Sequence, residues 1–360
     1  MDGRIAKLKD SPLGVGGLDE RLKTRRIVLS AENFDESIAH AAHIIRAGGL
    51  VAFPTETVYG LGANALDAQA AAKIFEAKQR ALSDPLIVHI ATTEALSDLM
   101  EGGWSAAAPL IDAFWPGPLT LVLPCGPRIP RIVTAGGEKV AIRMPNHPVA
   151  LALIKAAGVP IAAPSANLFG HVSPTTAQHV LDDLDGRIDL LLDGGPTTIG
   201  VESTVLDVTV NPPQILRPGG VTREAIAERL GIRDWRLGIH QSPIPNPQSP
   251  ASPGMLEKHY APNARLIITK SLEDMRTRHS SLVARHFKVG LLLMAHEQAA
   301  FLGHTPSFVL GADLISMAQN LYAGLRALDS AGVDVILVTQ VEPVGIGEAI
   351  ADRLRRAAAK

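Results

Sequence analysis

Five prolines fall within thirteen residues of this chain, in SPIPNPQSPASPG at 242–254. Proline fixes φ and lacks an N–H, so this stretch cannot be a helix and favours extended polyproline geometry. At 360 residues the chain is also longer than one hydrophobic core ordinarily serves. The sequence therefore divides into a polar tail at 1–25, a larger domain at 26–235, a proline-rich linker at 236–262 and a smaller domain at 263–360.

Periodicity gives the larger domain helices at 34–47, 67–79, 148–157 and 222–230. The third of these has Pro148 in its first turn and Gly158 at its end, the usual asymmetry. Short apolar runs predict strands at 50–53, 86–90, 119–123, 139–143, 159–163, 189–192 and 203–208. Strands and helices so mixed imply a large twisted mixed sheet. The smaller domain alternates cleanly. Strands are expected at 265–269, 288–294, 307–310 and 333–340, and helices at 271–286, 313–330 and 346–358. Leu314, Met317, Leu321, Leu325 and Leu328 recur at helical spacing as one apolar face. The fold class is α/β, with a small parallel-sheet, Rossmann-like second domain.

Composition narrows the function. With 46% hydrophobic and 19% charged residues the chain folds compactly. A net charge of -2 speaks against a broad nucleic-acid-binding surface, and 4% aromatic residues against a stacking platform for single strands. The single cysteine, Cys125, excludes an internal disulfide and a multi-cysteine zinc site, and no paired histidine marks it as a nucleophile. No apolar run is long enough to span a membrane, and the first residues lack the apolar core of a signal peptide. A cytoplasmic protein is expected.

The segment GGLVAFPTETVYGLGANALDAQAAAKIFEAKQRALSDPLIVHI, 48–90, holds the densest chemistry. A buried strand stops at Pro54 and is followed by Thr55, Glu56, Thr57 and Tyr59. Gly60 and Gly62 allow backbone to approach a ligand. Lys73, Lys78 and Arg80 lie toward the end of the next helix, and His89 sits inside an apolar strand. There is no P-loop pattern. The glycines at 60 and 62 follow their strand too distantly for a dinucleotide fingerprint, and Gly345-Ile-Gly347 reads as a tight strand-to-helix turn. Hydroxyls, a glycine turn and three cations make a site for a small polar substrate plus a polyphosphate.

The PTETVYGLG run, the Lys78–Arg80 pair and PLIVH at 85–89 resemble the YrdC/Sua5 family. So do VAIRMPNHP (140–148), PIAAPSANLFGHVSPT (160–175), GVESTVLD (200–207) and ILRPGG (215–220). SPGMLEKHYAP (252–262) is similar to the linker of the two-domain Sua5 form. The resemblance implies a threonylcarbamoyl-AMP synthase acting on L-threonine, bicarbonate or CO₂, and ATP with Mg²⁺. Its product would serve N6-threonylcarbamoyladenosine formation at adenosine 37 of tRNAs that read ANN codons. The implied partners are a downstream threonylcarbamoyl transferase complex and a contact with tRNA.

Carried over by motif, Lys78, Arg80, Asp84, Ser165, Ser173, Arg217 and Tyr260 are expected at ATP. Thr55, Thr57, His89, Arg143 and Ser203 are expected at threonine. Tyr260 would reach back onto the nucleotide, making the linker a lid. Lys78, Arg80 and Arg143 are the electrostatic residues, and no protein-ligated metal is expected. Relatives commonly carry a neutral amide where this chain has Asp84, a carboxylate that should repel triphosphate unless a cation bridges it or only its backbone N–H makes contact. Two alternatives remain open at this stage: a carbamoyl-phosphate-using adenylate maker and an RNA-binding module.

Overall fold

The computed structural model describes residues 23–105, 107–232, 260–301 and 305–359. Most of the proline-rich linker, His259 and the tail through residue 22 lie outside the described residues.

Among the described residues the larger domain is built on a ten-stranded mixed sheet. Its strands are β1 (Arg25–Val28), β2 (Val51–Phe53), β3 (Gly60–Asn64), β4 (Ile87–His89) and β5 (Leu119–Pro124). They continue with β6 (Lys139–Arg143), β7 (Ile161–Ala162), β8 (Leu190–Asp193), β9 (Thr204–Asp207) and β10 (Gln214–Arg217). The spatial order is β1-β8-β2-β3-β7-β4-β6-β5-β9-β10. Parallel pairs such as β4–β6 and β5–β9 alternate with antiparallel ones such as β2–β3 and β5–β6.

Three of these strands, β1, β3 and β10, depart from the sequence reading, which placed no strand at 214–217. Thr24 is buried and β1 pairs with β8, so the domain begins before residue 26. Gly60–Asn64, read as a glycine turn, is a strand. A Cβ at Gly62 would stand 2.7 Å from the Phe53 ring and 2.8 Å from Ile161, so this glycine admits neighbouring side chains of the sheet rather than a ligand.

The helices are α1 (Phe34–Arg46), α2 (Ala68–Lys78), α3 (Leu96–Leu99), α4 (Ala108–Phe114), α5 (Pro148–Ala157), α6 (Ala177–Leu184) and α7 (Arg223–Leu230). Asp67 accepts from Gln69 N and Ala70 N to start α2, and Gly158 ends α5 at φ 67° as its spacing from Pro148 predicts. Strand alternation sorts the core. Val88, Leu121, Ile142 and Leu206 face the main cluster, with α2, α4, α6 and α7 packed there. On the opposite face α1 and α5 cover Val51, Phe53, Ile161 and Leu190. Further along that face Ile87, Val122, Ala141 and Val205 form a cluster of strand residues alone. An apolar floor without a covering helix is thus left over β4, β6, β5 and β9.

The second domain has an all-parallel sheet of β11 (Arg265–Thr269), β12 (Val289–Met294), β13 (Ser307–Gly311) and β14 (Val335–Thr339) in the order β11-β14-β12-β13. Its helices are α8 (Leu272–Ala284), α9 (Leu314–Ser330) and α10 (Gly347–Ala358). The expected apolar stripe of α9 is buried at Met317, Leu321, Leu325 and Leu328. Burying each such side chain stabilises by roughly 1.5–3 kcal/mol. The stripe does not stop at its own domain. Val58, Val172 and Val201 of the large domain belong to the same apolar cluster. The loops around the uncovered floor are therefore packed against the second domain.

Candidate active site

Residues two apart on a strand share a face. In β4 this puts Ile87 and His89 on the floor side, and in β6 Ala141 and Arg143. Parallel pairing sets His89 beside Arg143. Arg217 arrives by an irregularity. Ile215 lies opposite Leu206, but Arg217 and not Leu216 lies opposite Val205, which turns the arginine to the floor side. The result is a narrow cleft with about 40 Å³ of open space, lined at both ends by polar side chains.

One end of the cleft is rich in hydroxyls. The Thr55 and Thr57 hydroxyls lie 2.9 Å apart, and Thr55 Oγ1 donates to Val58 O at 2.7 Å, which folds the loop after β2 back over the floor. Arg143 Nη1 donates to Thr57 Oγ1 at 3.0 Å, and its Nε donates to Gly117 O at 3.2 Å. Its Nη2 lies 2.7 Å from Glu56 Oε1. His89 is buried beside it. Desolvation, followed by the nearby Arg143 charge, brings its imidazole down to about 3, so it stands neutral at ordinary pH.

The other end is cationic. Arg80 ion-pairs with Asp84 at 2.8 Å, donates to Pro85 O at 2.8 Å and lies 5.9 Å from the Phe169 ring centroid. Arg217 Nη2 donates to Ser203 O at 2.9 Å and to Ser203 Oγ at 3.2 Å. Ser165 and Tyr260 complete this wall. Tyr260 is fully buried at φ 62°, its ring stacked on Tyr322 with centroids 5.8 Å apart.

Of the residues expected from sequence, Thr55, Thr57, Arg80, His89, Arg143, Ser165, Ser203, Arg217 and Tyr260 are brought together around this cleft. Three are not on its wall. Lys78 is buried with its ammonium 2.5 Å from Ser165 O and 2.5 Å from Asn167 O, so it braces the Pro164–Asn167 turn from behind. Ser173 is turned to Glu202, donating at 2.6 Å. Asp84 spends its carboxylate on Arg80 and its N–H on Ala81 O at 3.2 Å. The anticipated repulsion is met inside the protein, because the carboxylate faces an arginine and not the cleft. Lys73 donates to Gly48 O at 2.7 Å, which engages its ammonium outside the site. Ser203, expected at threonine, is bonded to Arg217, expected at ATP, and so stands at the junction of the two ends.

Among the described residues no three metal-ligating side chains converge. The carboxylates near the cleft, Glu56, Asp84 and Glu202, each face an arginine. The donor set does not fit a protein-held cation. Cys125 is half-buried, and burial pushes its thiol up, away from a nucleophilic thiolate. No helix among the described residues is long and apolar enough to cross a membrane.

A family model described as telomere recombination matches residues 43–219, and one described as the threonylcarbamoyl-AMP synthase C-terminal domain matches 221–359. A threonylcarbamoyl-AMP synthase of Pyrococcus abyssi is 46% identical over 338 residues, covering 92% of this chain and 97% of that protein. The chain belongs to the Sua5/YrdC family. A Bacillus subtilis threonylcarbamoyl-AMP synthase is 47% identical, covering 90% of this chain and 93% of its own. The crystal structure of P. abyssi Sua5 complexed with L-threonine superposes with a TM-score of 0.85 at 43% identity, over 93% of this chain and 97% of that one. Within this Sua5-type architecture α7 falls in the range of the C-terminal model, yet its Ile226 is fully buried in the large domain's core.

The sequence reading missed Glu202, which lines the cleft, and Tyr322 and Arg353, which bond Glu202 from α9 and α10 without lining the cleft themselves. Glu202 has a sequence signal, its place in GVEST. Tyr322 is one position off the apolar stripe, and Arg353 lies in an arginine-rich helix end that reads as solvated.

Proposed function

We propose that this chain is an L-threonylcarbamoyladenylate synthase, joining L-threonine, bicarbonate or CO₂ and ATP into threonylcarbamoyl-AMP, pyrophosphate and water. The observation that carries it is a single cleft with a hydroxyl-and-arginine end for an amino acid and a two-arginine end for a polyphosphate. The threonine carboxylate would sit on Arg143 and its side-chain hydroxyl on the Thr55–Thr57 pair. A site that bonds a substrate hydroxyl rejects analogues lacking it, because its own polar groups are then left unpaired. Arg80 and Arg217 would take the phosphates, with Ser165 and Tyr260 along the nucleotide. Arginine suits both groups because its planar fork donates bidentately.

In the reading we favour, the threonine amine captures CO₂ to give a carbamate. A carbamate oxygen attacks the α-phosphorus and pyrophosphate leaves, so the enzyme is a nucleotidyltransferase. No protein nucleophile is required, and the barrier falls by positioning the two reactants in line. Neutral His89, buried beside Arg143, adds no charge that would compete for the substrate carboxylate. Ser203 links the two ends mechanically through Arg217. Mg²⁺ enters as the ATP complex and supplies charge neutralisation; no residue here is assigned to hold it. The product would pass to a threonylcarbamoyl transferase acting on tRNA in the cytoplasm, with any tRNA contact made locally and not through a broad basic surface.

Pyrophosphate release from ATP and bicarbonate, with and without L-threonine and with serine as control, tests this reading. Threonine-dependent release with an AMP adduct of the right mass supports it. Release that needs carbamoyl phosphate in place of threonine overturns it, as does salt-sensitive tRNA binding without ATP turnover.

A further inference from the structure

The wall at the cationic end contains a carboxylate that an ATP site has no evident use for. Glu202 lines the cleft and is immediately followed by Ser203, the residue bonded to Arg217. It accepts from Ser173 Oγ at 2.6 Å, from Tyr322 OH at 2.8 and 3.0 Å and from Arg353 Nε at 2.7 Å. Only the first donor belongs to the large domain's own sheet and loops. Arg353 also donates to Pro218 O at 3.0 Å, next to Arg217, and its guanidinium lies 5.0 Å from the Tyr260 ring centroid. Its side chain is wholly buried.

The backbone that carries Glu202 is held from the same side. A Cβ at Gly200 would stand 2.3 Å from Ala318 O and 2.4 Å from Gln319 Cα, so the segment presses directly on α9. Gln319 donates to Thr198 O at 2.8 Å. Burial works against the Glu202 charge, but Arg353 and then Arg217, with the Ser173 hydrogen bond, hold its carboxyl down to about 2. It is therefore an anion in the wall that must receive a triphosphate.

We infer that Arg353 and Tyr322 of the C-terminal domain are positioning residues for ATP, neutralising Glu202 and holding it in place so that the field of Arg80 and Arg217 at the cleft stays positive. An uncompensated buried carboxylate beside an arginine cancels much of its attraction for another anion, because charges interact strongly where water is excluded. The C-terminal domain thereby acquires a defined role, supplying through Arg353 the larger share of the counter-charge and leaving Arg217 of the large domain to face the cleft. The inference rests on the ATP reading above.

The test measures ATP binding by calorimetry on the full chain, with threonine binding and the thermal midpoint alongside. Arg353→Met is expected to weaken ATP binding about 30-fold or more while changing threonine binding less than about 3-fold. The double variant Glu202→Gln, Arg353→Met is expected to recover ATP binding to within about 5-fold of wild type, since a neutral amide needs no cation. A double variant as weak as Arg353→Met, or an Arg353→Met variant that binds ATP normally, overturns the inference. Should Arg353→Met fail to fold, Tyr322→Phe keeps the ring and removes the hydroxyl. It is expected to weaken ATP binding about 3- to 10-fold, with the loss erased in combination with Glu202→Gln; no change in either variant overturns the inference. A wild-type chain that binds no ATP overturns the synthase reading itself, an outcome distinct from the others.

Discussion

Two buried arginine–glutamate pairs flank the cleft, and they are built differently. Arg353 and Glu202 come from different domains, and the aligned bonds at 2.6, 2.7 and 2.8 Å use both carboxylate oxygens. Arg143 and Glu56 come from one domain. Their atoms approach to 2.7 Å, yet neither Glu56 oxygen nor Arg143 Nη2 has an aligned hydrogen-bond partner among the described residues. Buried polar groups are ordinarily satisfied, and the Arg80–Asp84 pair shares this poorer alignment, since neither Asp84 oxygen has an aligned partner among the described residues. The satisfied pair is a strut. The other lies at the hydroxyl-rich end, where the proposed function seats the threonine carboxylate.

That contrast can be broken by experiment. The largest effect is expected at the Arg143–Glu56 pair. Arg143→Ala should raise the threonine requirement about 100-fold or more and the ATP requirement only a few-fold, read from initial rates with each substrate varied. Equal effects on both would erase the division between the two ends. Thr57→Val keeps the shape but removes the hydroxyl that accepts from Arg143 at 3.0 Å. It should lower kcat/KM for threonine about 10-fold, and a normal value would remove Thr57 from the site.

His89 sharpens the comparison through pH. Buried and beside Arg143, it refuses a proton until about pH 3, whereas the unfolded chain takes one up from about pH 6.5. The unfolded state thus binds more protons across that window, and stability is lost as pH falls through it. Between pH 7 and pH 5 the thermal midpoint of the wild type should drop, and His89→Gln should shrink that drop by about 2–4 °C. An unchanged drop would mean that His89 titrates freely.

The smallest effect is expected at an exposed pair. Arg128 and Asp98 lie 2.5 Å apart, but their side chains are 54% and 60% exposed. Arg128→Ala should shift the midpoint by less than about 2 °C, because water and side-chain entropy offset such contacts. A larger shift would mean that burial is not what separates struts from surface pairs here.

Much of this was readable in advance. Proline and glycine punctuation fixed α5 and the leucine stripe fixed α9, since these signals are local. Hydroxyls and cations in the 55–80 segment pointed to a polar, phosphate-bearing ligand. What was misread depended on distant partners. Gly60 does line the cleft, but Gly62 looked like part of a ligand turn because the Phe53 and Ile161 side chains that demand it come from the neighbouring strands. Lys78 looked like a phosphate ligand because the carbonyls of Ser165 and Asn167, which occupy its ammonium, lie some ninety positions away.

By itself, then, the sequence determined the two α/β units, most of their longer elements and the kind of chemistry the larger one holds, because period and residue type act over a few neighbours. The elements β1, β3, β10, α3, α4 and α6 went unread. Which cation faces the cleft and which stands behind it was decided by the tertiary structure. Arg353 and Arg355 share one helix and one side-chain chemistry, yet the first is wholly buried on Glu202 and the second is 73% exposed. Two residues of helix turn them about 200° apart, and only the packing of α10 against the large domain says which one meets a carboxylate.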